Sequence, residues 1–164
     1  MSKIEDEICQ KFIEKKIVQG TFLSHVSIGL EEIRKQTKKR HNEQLTEKEF
    51  RMYGGTLSKE IDLLCIIPPL EGLEITEKIF IKTAMRWASW SNTREKLKGR
   101  KVWIFEAKSK LDLKAIGQIF AYKTFFSEDN PEVEIEGIGI VCKETDSLLE
   151  HVCEKLGINV YKID

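Results

Sequence analysis

The sequence predicts an α/β protein, a mixed central β-sheet flanked by helices. Three observations carry this. Apolar runs of strand length, rich in β-branched and aromatic residues, occur at Lys59–Ile67, Val102–Ala107 and Val133–Val141. Segments with apolar residues three or four apart lie around them, above all Leu113–Phe126 and Asp146–Leu156. Strand, helix, strand in succession implies parallel pairing through a right-handed crossover. At 164 residues, 41% apolar and 33% charged, the chain reads as a single domain over 1–164. Within it, N-terminal helices occupy 1–48, and a core over 50–162 carries a helical insertion at 76–99.

Taken in order, Ile4–Val18 has Ile4, Ile8, Phe12 and Ile13 at helical spacing, and Gly20 ends it. The spacing of Leu23, Val26, Leu30 and Ile33 predicts a second helix over Phe22–Arg40. Its basic end complements the helix dipole. Phe50–Leu57 reads as a first strand with a bend at Gly54-Gly55. Lys59–Ile67 is a second strand, closed by Pro68-Pro69. Alternation there puts Glu60, Asp62, Leu64 and Ile66 on one face, and Ile61, Leu63, Cys65 and Ile67 on the other. Glu77–Trp90 has helical spacing and leads into a basic loop. In Val102–Lys108, Trp103, Phe105 and Ala107 share one face; Val102, Ile104, Glu106 and Lys108 share the other. Asp112 is positioned as the N-cap of the helix over Leu113–Phe126, whose apolar face is Leu113, Ile116, Ile119 and Phe120. The strand Val133–Val141, the helix Asp146–Leu156 and a closing strand Ile158–Tyr161 complete the chain.

Composition excludes several classes. No window approaches 18 apolar residues, so no membrane helix is expected, and MSKIEDEICQ has no apolar secretory core. Cys9, Cys65, Cys142 and Cys153 show no close pairing, which reads as reduced thiols of a cytoplasmic protein. His25, His41 and His151 are scattered, without zinc-ligand spacing. No Gly-rich phosphate loop and no Ser or Cys nucleophile motif appears. Net charge is zero, but residues 1–101 carry +5 and residues 102–164 carry −5. Seven basic residues lie between Lys82 and Lys101 against Glu95 alone, a local phosphate-attracting patch or a solvated loop. Arg94, Lys96 and Lys98 are its candidate nucleic-acid contacts, with Lys114 on the following helix.

Charge within core strands carries the chemistry. Asp62 is a lone acid in one apolar strand, and Glu106 and Lys108 end another. Buried charge needs a partner, a metal or solvent. Asp62 and Glu106 suit one Mg²⁺ or Mn²⁺, with the Ala107 carbonyl as a third oxygen. Lys108 would stabilise negative charge on a reacting phosphate. Gln118 and Tyr122 lie one turn apart on the same helix face as Lys114.

An acid on one strand, Glu-x-Lys on another and Gln-x-x-x-Tyr on the next helix resemble the PD-(D/E)XK nuclease superfamily, in particular its RecB-like and Cas4-like branch and the archaeal Holliday-junction resolvases. The likeness runs from about Phe50 to Val141. It implies a restriction-endonuclease-like mixed sheet and a Mg²⁺-dependent DNA nuclease, with Asp62, Glu106 and Lys108 catalytic and Gln118 and Tyr122 supporting. It implies DNA as partner and is compatible with a homodimer. Many members add a Glu from the first helix; Glu14, Glu31 and Glu32 compete for that role, and Glu32 is chosen. Ile61 stands where the family name has Pro, and the gap from Asp62 to Glu106 is long. Cys142 and Cys153 are too few and too far apart for an iron–sulfur cluster. The alternative is a nuclease-fold protein without turnover that binds nucleic acid or a protein partner.

Overall fold

The computed structural model describes residues 2–41, 59–71, 81–82, 95 and 97–164. Its elements are α1 (Lys3–Glu14), β1 (Thr21–Ile28), α2 (Leu30–His41), β2 (Lys59–Ile67), β3 (Ile81–Lys82), β4 (Lys101–Lys110), α3 (Leu113–Asp129), β5 (Glu134–Glu144), α4 (Ser147–Lys155) and β6 (Ile158–Lys162). The protein is α/β, with a mixed sheet in the order β3-β1-β2-β4-β5-β6. β2 runs antiparallel to both its neighbours, β1 and β4. β4, β5 and β6 are parallel, joined through α3 and α4 as the strand–helix–strand pattern predicts.

Two core layers hold the sheet. On one face Val26, Leu64, Ile66, Val102, Ile104 and Ile140 pack against α3 and α4. On the other, Ile8, Cys9, Phe12 and Ile13 of α1 pack on Phe22, Leu63, Cys65, Phe105 and Val141. Phe12 is the centre of this second layer, with its ring 4.9 Å from Phe105 and 5.1 Å from Tyr161. No helix among the described residues is long and apolar enough to cross a membrane. All four cysteines are buried and free.

Three expectations need correction. The segment 21–28, read as the start of a helix, is strand β1; helix α2 begins only at Leu30. β1 lies inside the sheet between β3 and β2, and both its faces are covered, Phe22 in one core layer and Leu23, Val26 and Ile28 in the other, so its apolar residues show no alternation. Gly29, at φ 82, breaks the chain between strand and helix. Ile81 and Lys82, read as helix, form a two-residue strand parallel to β1. Leu113, assigned to the apolar face of α3, is 71% exposed; Ala115, Ile116, Ile119, Tyr122 and Phe126 make the buried face. Asp112 caps α3 as expected, its carboxylate accepting from the Ala115 amide at 2.7 Å. The strand expected at Phe50–Leu57, and the rest of the helix expected over Glu77–Trp90, lie outside the described residues.

Gly20 sets the approach of β1 to β2. A Cβ there would sit 2.4 Å from Cys65 Sγ and 2.5 Å from the Ile66 carbonyl oxygen. A backbone oxygen cannot move aside cheaply, so Gly20→Ala should lower stability by about 1–3 kcal/mol, as overpacking does. Denaturant unfolding checks this, and an unchanged midpoint would count against the packing assigned to this turn.

Candidate functional site

The site lies where β2 and β4 part. Their ladder runs from Ile67↔Lys101 to Leu63↔Phe105 and stops. Asp62 and Glu106 are the next residue on each strand. The ladder between β1 and β2 is also irregular at this point. Its register passes from Ser24↔Leu63 to Val26↔Ile61, leaving His25 opposite Asp62 with φ 55. Here both strands change face. Ile61 packs in the same layer as Leu64 and Ile66, not with Leu63 and Cys65, so the alternation expected for Lys59–Ile67 fails at Asp62.

The fork leaves a β4 amide without a strand partner, and Asp62 takes it. The Ala107 N–H donates to Asp62 Oδ2 at 2.9 Å. The N–H and C=O of one strand residue point the same way. The Ala107 carbonyl therefore also faces the fork. Glu106 is 1% exposed and Asp62 is 7% exposed. Lys108 Nζ lies 2.6 Å from Glu106 Oε1 and 3.2 Å from Glu5 Oε1. Glu106 Oε2 is buried without an N–H donor among the described residues, and the one group it can share a hydrogen bond with is the Asp62 carboxyl, which needs a proton between them.

These contacts set the protonation of the cluster. Burial, and then the neighbouring Asp62 charge, push Glu106 up to about 8, against the pull of Lys108. Burial likewise raises Asp62, while the Ala107 amide and Lys108 pull it down. The Lys108 ammonium is held above its ordinary range by Glu106, Asp62 and Glu5, which outweigh its burial. The result is a low-dielectric cluster of carboxyls sharing one ammonium, in which burial and mutual repulsion favour a neutral carboxyl and Lys108 favours a charged one.

The supporting residues divide. Gln118 Nε2 donates to Tyr122 Oη at 3.1 Å. The Tyr122 hydroxyl is pushed up to about 12 by burial and then by the Glu106 charge, so Tyr122 lies within electrostatic reach of the fork. Phe120 packs on the core layer beneath. Lys114 is exposed one turn earlier on the same helix. Glu32 is not brought into the cluster: its carboxylate accepts from Gln36 at 2.9 Å. The N-terminus of α2 is tied to Asp129 at the far end of α3 through the Gly29, Leu30 and Glu31 amides. Glu5 of α1 is the helix acid that reaches Lys108, and sequence reasoning missed it. Its signal was the capping spacing Ser2-x-x-Glu5, which fixes a carboxylate at the first turn of α1. Lys98 lies between Glu95 at 3.2 Å and Glu132 at 3.9 Å, so acids already face its charge. Arg94 and Lys96 lie outside the described residues.

Asp62 has two separable jobs, a charge and a hydrogen-bond acceptor. Asp62→Asn keeps an acceptor for Ala107 and should hold the fold. Asp62→Ala leaves a buried N–H unpaired and should cost about 1–3 kcal/mol. Thermal melts of the two variants compare them directly; equal melting would show that the Ala107 bond contributes nothing.

Chemically, the fork offers two buried carboxyls, a carbonyl and a cation within one small volume. Comparison of the chain with protein-family models, with curated proteins and with solved structures returned no match.

Proposed function

We propose that the protein is a metal-dependent nuclease with a restriction-endonuclease-like core, hydrolysing phosphodiester bonds of DNA. One observation carries the reading. An acid on one strand and Glu-x-Lys on its hydrogen-bonded neighbour meet where the strands separate, and the Asp62 and Glu106 carboxyls are buried side by side with the Lys108 ammonium at 2.6 Å from Glu106. Two buried carboxyls that repel each other fit a cation. Asp62, Glu106 and the Ala107 carbonyl are the oxygen donors that would hold Mg²⁺ or Mn²⁺. When bound, the ion supplies a water of lowered pKa and neutralises phosphate charge.

The chain's own residues do the rest. Asp62 keeps β4 in register past the end of the ladder by holding the Ala107 amide. Lys108 presents a permanent positive charge beside Glu106, where it stabilises the negative charge developing on the phosphate. Tyr122 and Gln118, hydrogen-bonded to each other on α3, would supply the supporting polar groups that the resemblance assigns to this helix. Four buried thiols suit a reducing compartment such as the cytoplasm. The test is cleavage of duplex, single-stranded and branched DNA with Mg²⁺ or Mn²⁺ and with chelator. Metal-dependent cleavage abolished by Asp62→Asn is the expected result. Nucleic-acid binding without turnover in any metal would replace this reading with that of a binding protein built on the same core.

A further inference from the structure

We propose that Glu5 is a positioning residue for Lys108, which makes the first turn of α1 a working part of the site; the inference rests on the nuclease reading above. Glu5 is the third residue of a capping box. Its Oε2 accepts from the Ser2 amide, and its own amide donates to Ser2 Oγ at 3.3 Å. A capping box needs only one carboxylate oxygen. The other, Oε1, accepts from Lys108 Nζ at 3.2 Å, across 103 residues of sequence. Both oxygens are committed, one to the helix end and one to the ammonium, so Glu5 is not a spare metal ligand.

Lys108 needs such an anchor. Its four-carbon stem is flexible, and fixing it sacrifices much of its rotamer freedom. Its shorter contact is to Glu106, the residue that must turn its charge to a bound cation. Once Glu106 does so, Glu5 is the carboxylate that still holds the ammonium at the fork. The anchor is itself rigid. Ile8, Cys9, Phe12 and Ile13 seat α1 on the sheet. Asp6 Oδ1 lies 3.4 Å from His25 Nε2, and His25 Nδ1 lies 3.2 Å from Glu60 on β2. The Lys108 and Glu5 side chains are 19% and 18% exposed, so solvent screens their pair less than it screens a surface ion pair.

The test uses Glu5→Gln, because glutamine keeps an oxygen for the Ser2 amide and loses only the charge on Lys108. In a metal-dependent DNA cleavage assay kcat should fall roughly tenfold or more, as for a lost charge-assisted hydrogen bond. KM for DNA and the Mg²⁺ concentration for half-maximal rate should not change. In a Lys108→Ala background the same substitution should cause no further loss, since the two residues act through one contact. Should Glu5→Gln fail to fold, Ser2→Ala loosens the cap while keeping the Glu5 charge. It should show a smaller fall of the same kind, again absent beside Lys108→Ala. Full activity of Glu5→Gln, equal losses in both backgrounds, or a raised Mg²⁺ requirement would each overturn the positioning role and leave the nuclease reading intact. A wild-type protein that cleaves nothing in any metal sinks the nuclease reading, and this inference with it.

Discussion

Lys108→Ala is expected to cut metal-dependent cleavage by on the order of a hundredfold or more, the loss typical of removing one preorganised transition-state stabiliser. Its effect on stability should depend on metal. Without Mg²⁺, Lys108 is the cation facing Glu106 at 2.6 Å and Glu5 at 3.2 Å, with Asp62 beside them. Removing it leaves buried carboxyls unpaired and should cost about 3–5 kcal/mol. With Mg²⁺ the cluster regains a cation, and binding to the folded state alone restores stability by mass action. The variant should therefore gain more in melting temperature from Mg²⁺ than the wild type gains. A melting drop of the same size with and without Mg²⁺, beside a wild type that Mg²⁺ does not shift, would mark Lys108 and Glu106 as a structural ion pair.

The second large effect is the pH dependence of the metal-free protein. Glu106 titrates at about 8 in the fold and near 4.5 when unfolded. The folded state therefore binds its proton more tightly. The stability this confers is fully present below about pH 4.5 and is lost as pH rises through about 8. The whole swing is on the order of 5 kcal/mol, because each pH unit between the folded and unfolded values is worth roughly 1.4 kcal/mol. Asp62 is raised too and acts in the same direction. Glu5 is held below its ordinary value, so its contribution is lost instead as pH falls through its folded value. Denaturant unfolding in chelator at a series of pH values reads this out. Glu106→Gln, which mimics the protonated form, should flatten the slope between about pH 4.5 and about pH 8. A wild-type stability that is level or rising across that window would show that Glu106 is ionised throughout and paired to Lys108.

Much of the architecture is legible without coordinates. Strands buried on both faces, such as Val102–Ala107, and helices with a sharp N-cap, such as Asp112, announce themselves. Elements whose local signal conflicts with their surroundings do not. Leu23, Val26, Leu30 and Ile33 fall close enough to helical spacing that the segment reads as helix. Interior pairing to β2 makes it a strand. Strong local patterns survive burial; weak ones yield to ladder hydrogen bonds, because an interior strand satisfies all its backbone groups only by pairing.

Asp62, Glu106 and Lys108 stand out in the chain as charged residues within apolar strands. Ionisable groups inside apolar strands are costly wherever the chain folds, so their presence needs a reason that composition alone makes visible. How they meet depends on the long-range strand pairing. The ladder ends at Leu63↔Phe105, both β1 and β2 change face at His25 and Asp62, and the fork this opens brings Asp62 to the Ala107 amide. The tertiary structure also laid Glu5, a helix acid that the spacing did not single out, against Lys108. A capping carboxylate looks local in sequence, and its second oxygen acquires a partner only when α1 is laid across the sheet beside Lys108. Register and helix docking are long-range properties, set by which apolar faces bury against each other, and no spacing within a short segment encodes them.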